Sequence, residues 1–214
     1  MLLVLLYHQL TESHFREHLK YIADHHRVVL PGDPLPPCEL SICLTFDDAY
    51  ADIYTLALPL LEEMNMRAVL AVPTGLVGEP PYCSWDQLSK IALSGRFAIA
   101  SHSHSHCNMA RNGINAAQEI LESRNILEAR LCVPVNTFVY PYGRVNAAVH
   151  SQVMDQYKYA MRIGTAYNNA SWECESEPLH RVVADGIYPF SKLRRTGYWA
   201  KLQWRKAFPK LGRA

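Results

Sequence analysis

The stretch SICLTFDD, residues 41–48, sets two adjacent carboxylates, Asp47 and Asp48, directly behind six residues that are predicted to form a buried strand. Burying an unpaired carboxylate costs several kcal/mol, so such a pair usually serves a metal ion, a catalytic proton transfer or a helix N-terminus. In the helix alternative, Asp48 would cap a helix that begins near Ala49. What the other strands carry at their ends must decide between these roles.

Similar apolar runs alternate along the chain with amphipathic segments, which is typical of parallel strands covered by helices. Apolar residues at helical spacing predict helices over residues 15–23 and 53–61. Ser84 and Gln87 have capping-box form ahead of a third helix, which would end near Gly95. The predicted strands are 2–6, 42–46, 68–72, 97–101, 136–140, 159–163 and 181–184.

About seven strand–helix units leave two topologies, a small β/α barrel and an open doubly wound sheet. The chain contains neither a GxGxxG motif nor a P-loop, which removes the usual support for a nucleotide-binding sheet and favours the barrel. In both topologies the chemistry lies on loops at the carboxyl ends of the strands.

The composition predicts one folded domain with a distinct tail. The 214 residues are 49% hydrophobic and 19% charged, which suits a single core and excludes a disordered polymer. The net charge of +1 argues against a nucleic-acid partner, but residues 1–190 carry −7 and residues 191–214 carry +8. We expect the domain over residues 1–190. The basic, aromatic tail over 191–214 suits a peripheral membrane contact, or else folds back onto the acidic body.

Several features predict a reducing, cytoplasmic location, which lies at the inner face of the membrane if the tail makes the peripheral contact. Six cysteines are scattered without a CxxC pair, and the apolar start of the chain lacks a basic flank and a cleavage site. No window reaches the roughly 18 apolar residues that a membrane span needs.

The predicted strand at residues 97–101 leads into a histidine-rich run, Ser101-His102-Ser103-His104-Ser105-His106. His102 and His106 are four residues apart, so on a helical turn they would share a face and bind one ion, whereas an extended chain would pair His102 with His104. An aspartate and two histidines supply three ligands and leave a fourth position for water, as in hydrolytic metal sites.

A third strand ends in Pro141-Tyr142-Gly143, which by itself is an ordinary turn. Taken in order, however, TFDD, SHSxxH and PYG resemble the motifs of the NodB-type polysaccharide deacetylases. Tyr7-His8 and Trp85 fit the same family, so the resemblance covers roughly residues 1–184. It implies an α/β fold with a distorted, seven-stranded (β/α) barrel.

The resemblance also implies a reaction and a set of residue roles. The enzyme would remove N-acetyl groups from an amino-sugar glycan with one divalent metal ion, usually Zn²⁺. By position, Asp48, His102 and His106 look like the metal ligands, and Asp47 looks like the general base. Tyr142 is similar to the residue whose backbone N–H completes an oxyanion hole, and its ring would line the sugar site.

Val139 departs from the family pattern, because most members have an arginine there that pairs with the general base. Asp47 therefore lacks that arginine as a partner. The departure looks like the branch of poly-N-acetylglucosamine and other exopolysaccharide deacetylases, in which the first strand supplies the general acid. That places the acid at His8. The alternative is His180, since Pro178-Leu179-His180 loosely matches the Leu-x-His motif of most members.

The resulting hypothesis is a metal-dependent hydrolase acting on an N-acetylated glycan or, given the expected cytoplasmic location, on a lipid-linked sugar precursor. Two alternatives remain open. One is a catalytically silent carbohydrate-binding barrel, against which the complete acidic and histidine set argues. The other is a deformylase acting on a lipid-phosphate sugar.

Overall fold

Parallel strands form a single sheet in this computed structural model, which describes residues 1–164, 168–169, 171–185 and 187. The strands are β1 (Leu2–Tyr7), β2 (Arg27–Val28), β3 (Ser41–Phe46), β4 (Ala68–Val72), β5 (Phe97–Ser101), β6 (Thr137–Val139), β7 (Tyr159–Ile163) and β8 (Leu179–Val183). The helices are α1 (Glu12–His25), α2 (Leu58–Glu63), α3 (Trp85–Leu93), α4 (Ala116–Leu131) and α5 (Ala147–Met154), with a π-helical segment at Ile53–Ala57 and 3₁₀ turns at Thr74–Leu76 and Pro141–Gly143.

Strand β1 closes the sheet into a barrel, because it pairs with β3 along one edge and with β8 along the other. The closed ring among the described residues runs β1-β3-β4-β5-β6-β7-β8. Strand β2 has two residues and pairs only with the start of β3, so it stands outside the ring and is too short to leave an apolar run in the sequence. The expected seven-stranded (β/α) barrel is confirmed, and the open doubly wound sheet is wrong.

The core lies inside the barrel and between the barrel and its helices. Strands β1 and β3 are buried along their whole length, which is why most of their residues are apolar on both faces instead of alternating with polar ones. Tyr7 and Phe46 stack on each other, and both rings meet the edge of Phe15 on α1. The opposite side chains of these strands face the barrel interior.

Helix α3 begins and ends as the sequence predicts. The Ser84 hydroxyl accepts the Gln87 N–H at 3.2 Å, and the Gln87 side chain accepts the Ser84 N–H at 2.8 Å. Two residues beyond the helix, Gly95 has a φ of +69°, a left-handed conformation common just after a helix end.

The tail at residues 191–214 and the domain boundary at 190 lie outside the described residues, so both stay predictions. Within the part of the chain that is described, no helix is both long and apolar enough to cross a bilayer.

Candidate functional site

The three expected metal ligands meet at the carboxyl end of the barrel. Asp48 follows β3, and His102 and His106 follow β5. One ligand atom from each lies within 4.8 Å of the others. Asp48 Oδ1 is 3.2 Å from His106 Nε2 and 3.6 Å from His102 Nε2.

A loop rather than a helical turn brings the two histidines together. Ser103 has a φ of +63° and His106 a φ of +55°, so the backbone visits the left-handed region twice within this short motif. His104 lies apart from the cluster, with its Nδ1 2.9 Å from the Thr74 hydroxyl. Of the two alternatives, neither a helical turn nor an extended segment is observed, and the histidines that meet are His102 and His106.

Asp48 does not cap a helix. It has a φ of +67°, Ala49 has a φ of +54°, and helical structure begins only at Ala51. Left-handed backbone is costly for residues other than glycine and is found mostly at functional sites. The capping alternative is wrong, and the strained backbone turns the Asp48 carboxylate toward the histidines.

The hydrogen bonds of the histidines prepare them to bind a cation. His102 Nδ1–H donates to the Val139 carbonyl oxygen at 2.7 Å, and His106 Nδ1 lies 3.2 Å from the Tyr142 hydroxyl. With Nδ1 engaged in both rings, Nε2 is the nitrogen left to bind an ion. Burial lowers the pKa of His102, which keeps the ring neutral as a metal ligand requires.

Asp48 Oδ1 is a buried acceptor with no hydrogen-bond partner among the described residues. It faces two Nε2 atoms that, in neutral rings bonded through Nδ1–H, carry lone pairs rather than protons. A cation satisfies all three atoms at once. One carboxylate and two imidazoles suit zinc and related divalent metals, so the donor set fits the expected ion.

Asp47 is ion-paired even though position 139 carries a valine and no arginine. Asp47 Oδ1 and Oδ2 accept hydrogen bonds from Arg181 Nη1 at 2.6 Å and Nη2 at 2.8 Å. Arg181 is fully buried in β8 and also donates to the Thr45 hydroxyl at 3.2 Å. Burial alone would raise the pKa of Asp47, but the Arg181 guanidinium outweighs it and lowers the pKa to about 2. Arg181, from β8, thus supplies the positive charge that is missing at position 139.

His8 lies beside Asp47 at the mouth of the barrel. The Asp47 N–H donates to the carbonyl of Tyr7, the residue before His8. Asp185, just beyond β8, holds His8 twice: Oδ1 accepts the His8 backbone N–H at 3.0 Å, and Oδ2 lies 2.9 Å from Nδ1. This hydrogen bond to Asp185 raises the pKa of His8 despite its partial burial, and the Asp47 and Asp48 charges add to the effect.

His180 lies elsewhere. The register pairs Val4 with Arg181, so His180 is level with Leu3, five residues before His8 along the barrel wall. Its Nε2 is 2.7 Å from Glu177. Because neighbouring residues of a strand face opposite sides and Arg181 faces the interior, His180 faces outward. The structure brings His8 to the cluster and leaves His180 outside it.

Tyr142 stands at the edge of the cluster with 59% of its surface exposed. Its ring meets that of His106 edge-on, with the centroids 4.7 Å apart. Its φ of +57° and the Gly143 φ of +64° make the tight turn that follows β6. The residue is therefore placed where both its backbone and its ring can reach a bound molecule.

Arg181 and Asp185 are the charged residues that sequence reasoning missed. Arg181 is an isolated cation within the apolar strand LHRVV, and that isolation is the one signal that could have drawn attention to it. Asp185 sits in a turn with no motif around it. Their partners are 134 and 177 residues away in the chain.

Comparison with known proteins gives a consistent result. The family model described as polysaccharide deacetylase matches residues 36–161. YxkH of Bacillus subtilis (strain 168), which is named for the same family, is 25% identical over 198 residues, covering 84% of this chain and 70% of that protein. The poly-beta-1,6-N-acetyl-D-glucosamine N-deacetylase of Escherichia coli (strain K12) is 26% identical over 159 residues, covering 54% of this chain.

The chain spans only 23% of the length of the E. coli protein. Among solved structures, the Streptococcus pyogenes deacetylase PplD in complex with acetate superimposes with a TM-score of 0.79 at 20% identity, covering 90% of this chain and 96% of that one. This likeness supports the barrel fold.

Proposed function

Because the chain belongs to the polysaccharide deacetylase family, we propose that it hydrolyses the acetamide group of an N-acetylated amino-sugar glycan. The observation that carries the proposal is the meeting of Asp48, His102 and His106 within 4.8 Å. Beside them lie an ion-paired carboxylate, Asp47, and an aspartate-held imidazole, His8. These are the groups that acid–base hydrolysis of an amide requires.

Asp48, His102 and His106 would hold one divalent metal ion, which we propose to be zinc. When bound there, the ion supplies Lewis acidity, which polarises an amide carbonyl and makes water more acidic. The Val139 carbonyl and the Tyr142 hydroxyl orient the two imidazoles for this task.

Asp47 would act as the general base that takes a proton from the attacking water. The low pKa that Arg181 gives it keeps the carboxylate ionised, and the two hydrogen bonds fix its plane. An ionised carboxylate has about four lone-pair sites, so two remain for water after Arg181 is bound.

His8 would protonate the departing amine. Asp185 engages Nδ1, so Nε2 is the nitrogen that can deliver a proton, and the raised pKa favours the protonated ring. Tyr142 would donate its backbone N–H to the developing oxyanion, which requires no particular side chain.

The substrate we propose is a β-1,6-linked N-acetylglucosamine chain or a lipid-linked precursor of one. Support for the sugar comes from the name of the E. coli relative.

We further propose a cytoplasmic location, since all six cysteines are free thiols, as expected in a reducing compartment. The silent-barrel alternative lacks support in view of the complete residue set, whereas the same groups would also hydrolyse a formamide.

Measuring acyl release tests the proposal. The zinc-loaded protein should release acetate from β-1,6-linked N-acetylglucosamine oligomers, chelator should abolish the release, and Asp48→Ala should lose both zinc and activity. Formate release from a formylated lipid-phosphate sugar, with no acetate from any glycan, would favour the deformylase. A protein that binds no zinc in stoichiometric amount would contradict the proposal.

A further inference from the structure

Two tyrosines outside the proposed catalytic set follow the strands on one side of the metal cluster. Tyr50 lies two residues beyond Asp48, and Tyr82 lies on the loop that follows β4. Their rings stack with centroids 5.2 Å apart and an interplanar angle of 15°. Only Ala49 separates Tyr50 from the proposed ligand Asp48, so the pair is attached to the turn that carries this ligand.

Backbone hydrogen bonds hold this stacked pair in place. An antiparallel bridge joins Tyr50 to Tyr82. On either side of it, the Ala51 N–H donates to the Pro81 carbonyl at 2.9 Å, and the Cys83 N–H donates to the Ala49 carbonyl at 2.8 Å. The pair is therefore ordered before any ligand arrives, which lowers the entropic cost of binding.

The pair is not part of the hydrophobic core. Several half-buried aromatic side chains pack against the core, such as Tyr54, Trp85 and Tyr159, but neither Tyr50 nor Tyr82 is among them in the described part of the chain. Both rings are half-buried. Because the two rings do not pack in the core, we attribute them to a role at the surface of the site.

The barrel order gives the cluster an aromatic group on each side. Tyr142 follows β6, whereas Tyr50 and Tyr82 follow β3 and β4. Strand β5, which carries both histidine ligands, lies between β4 and β6 in the ring. A glycan that crosses the metal cluster from the Tyr50–Tyr82 pair to Tyr142 would place consecutive sugar units against these two aromatic groups.

We propose that the Tyr50–Tyr82 pair is a sugar-binding subsite for the pyranose unit next to the one being deacetylated. This inference rests on the proposed function and deepens it. The C–H groups on the face of a pyranose ring pack well on a flat aromatic surface, and the Tyr82 hydroxyl can bond to its hydroxyl groups. The subsite makes the substrate an oligomer or polymer rather than a single sugar.

The test compares ligand binding in the absence of turnover. Isothermal titration calorimetry of chelator-treated protein would give the Kd for a β-1,6-linked N-acetylglucosamine tetramer and for the single sugar. We expect the tetramer to bind more tightly, and Tyr82→Ala to weaken its binding by about tenfold. Tyr82→Phe keeps the aromatic face and should retain most of the affinity.

Tyr21→Ala is the matched control. Tyr21 also belongs to a stacked ring pair, with His25, but it lies toward the end of α1, which runs back to the amino end of the barrel. Its removal should leave the Kd for the tetramer unchanged. Thermal melts of all variants would show that each is folded.

The outcomes separate this inference from the proposed reaction. Equal tetramer binding by the wild type and Tyr82→Ala would overturn the subsite, as would a wild type that binds the tetramer no better than the single sugar. Tetramer binding that depends on Tyr82 in a zinc-loaded protein that releases no acyl group would support the subsite and contradict the reaction.

Discussion

The Arg181 guanidinium determines the state of the Asp47 carboxylate, because both groups are buried and each neutralises the other. Removing one partner of a buried ion pair leaves an uncompensated charge, which usually costs about 3–5 kcal/mol. The planar guanidinium also orients the carboxylate through two parallel hydrogen bonds, which the ammonium group of lysine cannot do.

Arg181→Met should lower the free energy of unfolding by about 3–5 kcal/mol at pH 7, as measured by urea denaturation. In the double variant Arg181→Met, Asp47→Asn, the stranded charge is gone, so the loss should be smaller than the sum of the single losses. Strictly additive losses would show that the two residues are not coupled.

The hydrogen bond from Asp185 raises the pKa of His8, so Asp185→Asn should lower it. A general acid works only when protonated, and activity is therefore lost as the pH rises through its pKa. The alkaline limb of the kcat/KM profile should move to lower pH in Asp185→Asn. An alkaline limb that stays at the wild-type pH would exclude His8 as the titrating acid.

His8→Ala should reduce kcat by about 10²–10⁴-fold while zinc content stays intact. His180→Ala is the matched control, because that ring faces outward and bonds to Glu177. A large kcat loss in His180→Ala with none in His8→Ala would identify His180 as the general acid, at the position of the Leu-x-His motif of most of the family.

At the scale of elements, loops rather than strands hold the part of the site that sequence could not predict. The strands were predictable because β1 and β4 are unbroken apolar runs and β3 is apolar apart from Ser41 and Thr45. The conformations of Asp48, Ser103 and His106 were not, since left-handed backbone in residues other than glycine has no compositional signature. The ligand residues themselves could be found because they follow the strands directly.

Arg181 and Asp185 were missed for a different reason. The partner of each lies across the barrel closure, so the contacts depend on the register of β8 against β1. Local patterns of charge and hydrophobicity do not contain that register.

Helix α3 offers a test of local stability. Ser84→Ala removes the N-cap acceptor of the Gln87 N–H and should lower the free energy of unfolding by about 1 kcal/mol. Ser151→Ala, an exposed position within α5, is the matched control and should change little. Equal effects of the two substitutions would show that the capping box contributes no stability.

At the scale of the whole molecule, the site exists only when the barrel is closed. Its side chains lie in β8 or directly after β1, β3, β5 and β8, and no two adjacent strands supply them all. A ligand that binds the native state alone stabilises it by mass action.

Zinc at about 100 times its Kd should therefore stabilise the protein by about 2.7 kcal/mol and raise its Tm. The Asp48→Ala variant should show no such rise. Differential scanning calorimetry with zinc and with chelator would measure both. A zinc-dependent Tm that persists in Asp48→Ala would place the metal elsewhere.

The pairing of β1 with β8 also has a consequence for biosynthesis. A ribosome that adds 5–20 residues per second makes Arg181 about 7–27 s after Asp47, which precedes it by 134 residues. Once His106 has been added, 59 residues after Asp47, the nascent chain carries all three proposed metal ligands, but the edge of β1 that β8 will cover is open and the future base has no counter-charge. The newly made chain is thus exposed to premature metal capture and to edge-to-edge aggregation, and a chaperone that shields β1 would act in this window.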